Sequence, residues 1–146
     1  MQDPLITLRN LLKDNWSLIS PNSTSEIKFS TGWYDEDVLT PQITVTELYD
    51  DDEPFELGYG TIRIYAVYQI DAWVTVELDT GKGKGLAKDS IRKMQMEIRR
   101  IFKNNLTGLE GLRYVMSNQR GRRIDEPDAV PPRLRWSKDI QVIYDI

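Results

Sequence analysis

The longest regular pattern in the chain is an alternation. From Ile62 to Leu78 every even position (Ile62, Ile64, Ala66, Tyr68, Ile70, Ala72, Val74, Val76, Leu78) is apolar or aromatic, while odd positions include Arg63, Gln69, Asp71, Thr75 and Glu77. Successive side chains of a strand point to opposite faces, so the run predicts one strand with a buried face and a wet face. At ~3.3 Å per residue it would span roughly 56 Å, longer than the usual strand, so a bend, a bulge or projection from the domain is expected.

Helical spacing occurs twice. Asp3-Pro4 is a helix start, because Asp can accept from free amide groups and Pro at the first helical position loses no bond. Leu5, Leu8, Leu12 and Trp16 then share a stripe that Leu11 widens, and Ser20-Pro21-Asn22-Ser23 closes the element. Later, Ala87, Ile91, Met94, Ile98 and Ile101 define an apolar stripe on a helix over Leu86 to Leu106, with Lys88, Arg92, Lys93, Arg99, Arg100 and Lys103 elsewhere around it.

Shorter strands fill the rest. Ile27 and Phe29 alternate with polar neighbours, and Gly32 to Asp35 reads as a turn carrying aromatic anchors. Ile43 and Val45 make a compact β run that the acidic knot Asp50-Asp51-Asp52-Glu53-Pro54 terminates. Leu112 to Ser117 reads as a strand and residues 118–132 as a mobile loop. Leu134 to Ile146 alternates again through Trp136, Ile140, Val142, Tyr144 and Ile146. The sum is a single α+β domain over residues 1–146: a mainly antiparallel β-sheet packed against two α-helices, with a long β-strand or hairpin and a mobile loop.

Charge changes the picture. Residues 1–80 hold 15 Asp/Glu against 4 Lys/Arg, net −11, and residues 81–146 hold 15 Lys/Arg against 8 Asp/Glu, net +7. If the halves present different faces, copies can dock head to tail with complementary potentials; otherwise the bias is only solvated surface. The candidate subunit-interface residues are Asp35, Asp37, Asp50, Asp51, Asp52 and Glu53 on the acidic side and Arg120, Arg122 and Arg123 on the basic side. Trp73 joins them from the odd side of its strand, where it is either covered by another element or anchors a partner.

Composition excludes several chemistries. With 146 residues the chain fits one domain able to bury a continuous core, and with no Cys and no His it has no disulfide, thiolate nucleophile or imidazole base. No run approaches the ~20 apolar residues of a membrane span, and the amino terminus does not read as a secretory signal. The remaining motifs are weak. Gly81-Lys82-Gly83-Lys84-Gly85 lies between a strand and a helix but lacks phosphate-loop spacing, so a flexible basic loop is the better account. Glu26-Ile27-Lys28 resembles half of a metal-dependent nuclease site without a partner acid. Asp50 to Glu53 lacks the glycine and final Glu of a calcium loop. Arg120-Gly121-Arg122-Arg123, with Arg133 and Arg135 nearby, forms a basic patch suited to DNA phosphates, to an acidic neighbouring subunit, or to solvent alone.

Taken in order, the helix from Pro4 to Trp16, the strand with Ile43-Thr44-Val45, the long strand with Tyr68-Gln69-Ile70-Asp71-Ala72-Trp73, the helix from Leu86 to Leu106 and the last strand with Trp136 and Ile140-Gln141-Val142-Ile143-Tyr144 resemble the tail terminator or tail-completion proteins of long-tailed bacteriophages and related archaeal viruses. The resemblance rests on element order. It implies a non-enzymatic virion protein without cofactors, assembled as a ring, commonly hexameric, that caps the tail tube and joins it to the head. The partners so implied are the tail tube protein and the head connector protein, with passing contact to DNA and none to membrane. The location is the virion tail or neck, after assembly in the host cytoplasm. Head-tail connector proteins, stoppers and adaptors among them, have similar sizes and also build rings. A small module contacting nucleic acid through its basic half is the reading from a different class.

Overall fold

The computed structural model describes residues 3–20, 22–38, 41–54, 62–76, 84–109, 112, 114–116 and 121–146. Among them are two helices, α1 (Pro4–Asn15) and α2 (Lys84–Asn104), and six strands: β1 (Lys28–Ser30), β2 (Gln42–Pro54), β3 (Ile62–Thr75), β4 (Tyr114–Met116), β5 (Gly121–Arg123) and β6 (Arg133–Asp145). All six strands share one sheet. Its order is β1-β2-β3-β6-β4, with β5 pairing the same edge of β6 further along. Every strand pair is antiparallel except β1 with β2, so the α+β class predicted from the sequence holds.

Both helices lie on one face. Asp3 accepts the Leu5 amide at 3.0 Å and Pro4 opens α1, as a helix start requires. Leu8, Leu11 and Leu12 of α1 pack over β2, whose Ile43 and Val45 face the same side, and Ala87, Ile91, Met94, Ile98, Ile101 and Phe102 of α2 pack on the even residues of β3 and on Leu134, Trp136, Ile140 and Val142 of β6. Trp16 leaves the helix in an extended conformation, donates from its indole to the Asn22 carbonyl at 2.7 Å and meets Phe29 edge-on. Among the described residues no helix is long and apolar enough to cross a membrane.

Four expectations are corrected. The wet face of the long strand is not wet: from Ala66 to Thr75 residues of both parities are buried. β3 is central, helices cover its even side, and on its odd side Trp33 and Tyr34, from the segment joining β1 to β2, lie on Trp73. The acidic knot does not end its strand. Asp50, Asp51 and Asp52 pair with Ala66, Tyr65 and Ile64 after a bulge between Glu47 and Tyr49, because backbone pairing along β3 continues where side-chain propensity is poor. The loop at 118–132 is not without a strand: β5 pairs with β6 and Glu126 bridges Arg133, so part of its polar backbone is bonded without apolar burial. Lastly, α2 begins at Lys84, so Lys84 and Gly85 of the glycine-rich stretch are helical. Gly81 to Gly83, Glu77, Leu78, Ser117 and Arg120 lie outside the described residues.

Candidate functional site

The odd side of β3 carries a cluster the sequence had scattered over four segments. Asp71, fully buried, accepts from Arg135 Nε at 2.8 Å and from Gln69 Nε2 at 2.8 Å. The Arg135 guanidinium lies 4.8 Å from the rings of both Trp33 and Trp73, and that of Arg133 lies 4.3 Å from the ring of Tyr34. Arg133 also pairs with Glu126 and reaches Glu36 at 3.5 Å. Trp73 donates its indole N–H to Thr44 Oγ1 at 3.0 Å, and Gln42 ties down the covering segment through the Asp35 and Val38 carbonyls at 2.8 and 3.0 Å. Burial pushes the Tyr34 phenol up, against the opposing pull of Arg133. The result is a stapled plug of alternating cations and rings, satisfied within the chain.

This settles the choice for Trp73: it is 0% exposed and covered, so it presents no surface to a partner, whereas Trp33 above it is 53% exposed. Arg133 and Arg135 leave the basic patch for the same reason. The sequence signal for the pairing was an Asp at an odd position of the longest strand and an Arg at the matching parity of the last one.

The acids singled out in sequence separate into two groups. Asp35 accepts from Lys28 Nζ at 2.6 Å and from the Asp37 amide at 3.0 Å, and the Lys28 bond chiefly holds its carboxyl below the usual range. Glu26 accepts from Ser20 and Ser23, so neither end of the nuclease-like triplet is poised for a metal. Among the described residues there is no group of three or more acids that could hold an ion. Asp37 is exposed. Asp50, Asp51 and Asp52 are exposed on β2, with Asp50 and Asp52 on the helix side of the sheet and Asp51 on the other, judged from their partners on β3. Nearby, burial first and then Asp50 and Asp3 raise the carboxyl of Glu47. Glu53 is a backbone member of β2, and its side chain lies outside the described residues.

The exposed bases gather across the sheet. Arg122 of β5 is exposed; Arg123 makes a two-oxygen pair with Asp125, at 2.9 and 3.1 Å from Nη2. Arg123 also lines a groove of about 490 Å³ with Lys88, Arg92, Gln95, Met96 and Arg99 of α2. The charge halves are therefore partly interleaved, through Arg133–Glu36 and Arg135–Asp71, and partly segregated. What remains exposed is acidic on the β2 edge and basic on the β5 edge and outer α2.

Two features carried no sequence signal. Glu97 of α2, nearly buried, accepts from the Ser17 amide and hydroxyl and from Arg100 Nε at 2.6 Å, tying the chain after α1 to α2. Burial opposes its ionisation, but the Arg100 and Ser17 hydrogen bonds outweigh burial and hold the carboxyl below its ordinary range. Lys138 is buried on the helix side of β6, opposite Ile70, where burial first and then Arg99 lower its ammonium pKa.

No protein-family model matches the chain, and no curated protein matches it.

Proposed function

We propose that the protein is a structural, non-enzymatic subunit of a ring at the head-proximal end of a viral tail tube, a tail terminator or tail-completion protein that joins the tail to the head connector. The observation that carries this reading is the placement of exposed acids and exposed bases on opposite edges of one sheet. A subunit with unlike, complementary edges favours heterologous head-to-tail contacts, which close into rings when the rotation allows. The order helix, strands, long central strand, helix and last strand supports the same reading. Its partners are further copies, as a hexamer, with the tail tube and connector proteins above and below. Its place is the virion neck, reached by assembly in the host cytoplasm. No cofactor is needed for such a role.

Native mass spectrometry in volatile buffer, at low and high ionic strength, is the test. A discrete closed oligomer that dissociates as salt rises is expected, since exposed ion pairs are screened over about 8 Å at physiological salt. A strict monomer at high concentration and low salt would refute the proposal. The groove lined by Lys88, Arg92, Arg99 and Arg123 favours a second reading, a small nucleic-acid-contacting module. That reading requires a monomer that retards DNA with a steep salt dependence, a slope of log K on log salt of about −0.9 for each phosphate neutralised.

A further inference from the structure

The sheet has two open edges. β1 covers β2 only at Gln42, Ile43 and Thr44, so from Thr46 to Pro54 the outer side of β2 has no strand partner among the described residues. That is about 30 Å of backbone at ~3.3 Å per residue, with Leu48 44% and Tyr49 58% exposed at its bulge. Three consecutive aspartates follow. They blunt pairing with a neutral or acidic strand and leave the edge open to a cationic one. On the far side of the sheet, β5 pairs with β6 through its inner side only, again among the described residues.

We infer that the β5 strand of one copy adds, antiparallel, to the open edge of β2 of the next, placing Arg122 opposite Asp51 and Arg123 opposite Asp50. This rests on the self-assembly reading above and deepens it. Strand direction alternates along β2, β3, β6 and β5, so a copy continuing the sheet with the same orientation presents its β2 antiparallel to the first copy's β5. The faces agree as well. Arg123 is paired with Trp136 and Asp50 with Ala66, both on the helix side; Arg122 is paired with Ser137 and Asp51 with Tyr65, both on the other. The same register sets Gly121 against Asp52 and Ile124 against Tyr49, so the bulkiest exposed ring of the edge gains an apolar neighbour. Within a copy the exposed Arg123–Asp125 pair is weakly held and can be exchanged for a cross-strand partner.

The register demands a stagger. Arg122 is level, through Ser137 and Asp71, with Thr44, whereas Asp51 is level with Tyr65, six β3 residues away. Six residues are about 20 Å along the strands, and the four-strand repeat is about 19 Å wide at ~4.8 Å per strand. The strands then tilt about 45° from the ring axis, at the upper end of the 35–45° range of closed sheets. Unstaggered docking is blocked: it would bring β4 to the acidic edge, but the outward amide of Val115 already donates to the Leu106 carbonyl at 2.8 Å.

Because the chain has no Cys, engineered thiols report the contact cleanly. Asp51→Cys and Arg122→Cys variants are mixed and oxidised at low salt, with Asp51→Cys plus Lys103→Cys as the control pair. The first mixture should form at least tenfold more cross-linked dimer than the control, and equal yields overturn the inference. In parallel, Asp51→Arg should weaken assembly at least tenfold and Arg122→Asp in the same chain should restore it. A closed oligomer by native mass spectrometry that is indifferent to both charge changes refutes this strand pairing and leaves the ring reading standing; a monomer under all conditions refutes both. Loss of DNA retention by Arg122→Asp with assembly intact assigns β5 to nucleic acid and likewise overturns the inference.

Discussion

Replacing Asp71 by Asn is the sharpest probe of the fold, because it removes one charge from a pair that has almost no water. Asp71 is fully buried and Arg135 is 11% exposed, with Nε 2.8 Å from the carboxylate. At a charge separation of roughly 4 Å and an effective dielectric constant near 20, the attraction is about 4 kcal/mol. Asn keeps an oxygen whose neutral hydrogen bond returns about 1 kcal/mol, whereas the contacts of the guanidinium with the rings of Trp33 and Trp73 are the same in both proteins and offset nothing. The expected loss is about 3 kcal/mol, within the range for breaking a buried pair from one side. In urea, with a slope near 2 kcal/mol per molar for a domain of this size, the midpoint should fall by about 1.5 M. Asp71→Asn with Arg135→Met should cost much less than the sum of the two single changes, a coupling of about 2 kcal/mol. A single-variant loss below 1 kcal/mol, or additive single and double losses, would refute the argument that the pair and its two rings act as one unit.

Other consequences follow from the same packing. The depressed Glu97 carboxyl contributes stability that is present above the ordinary glutamate pKa and is lost as pH falls through its lower folded value. Urea midpoints followed from neutral pH to about pH 3 should therefore decline less steeply on the acid side for Glu97→Gln, which should also be less stable at neutral pH; parallel curves for the two proteins would show that the Ser17 and Arg100 contacts do not hold the charge. A Cβ at Gly121 would sit 2.7 Å from Cζ2 of the buried Trp136 ring, so Gly121→Ala should cost about 1–3 kcal/mol and alter tryptophan emission, measured by calorimetry and fluorescence.

The one-sided alternation of residues 62–78 made β3 legible, and the stripe from Ala87 to Ile101 made α2 legible, because each element buries a continuous line of apolar side chains. What could not be read was the burial of the opposite face. Gln69, Asp71 and Thr75 are ordinary solvent-facing residues by type, and their burial follows from a covering segment and a distant strand, both non-local. The same holds for Asp50 to Asp52: three consecutive aspartates read as a turn, yet cross-strand hydrogen bonds to β3 carry them in a strand. The loop at 118–132 reads as irregular because its Gly, Pro and charged residues bury little apolar area against the entropy of ordering them. Pairing of β5 with β6 and of Arg133 with Glu126 supplies the compensation by other means. The acidic and basic edges were legible as composition, but which acids stay exposed was not, since Asp35 is engaged by Lys28 and Asp37 is not.

Residues that sequence charge groups together therefore act in two physical regimes, and backbone position separates them. Asp71 on the odd side of β3, and Arg133 and Arg135 in the first residues of β6, lie by Trp33, Tyr34 and Trp73, where losing water makes an unpaired ion costly; Asp71 accordingly has Arg135, and Arg133 has Glu126. A charge on the open edge of β2 or β5 keeps its water, and a single contact it makes is worth little. Such contacts become consequential only in register, when backbone hydrogen bonds align several at once, and they stay sensitive to salt. Substitutions in the first group should then lower the melting temperature and leave the salt dependence of assembly unchanged. Substitutions at Asp50, Asp51 or Arg122 should do the reverse, because those side chains cross no desolvation barrier when a single copy folds.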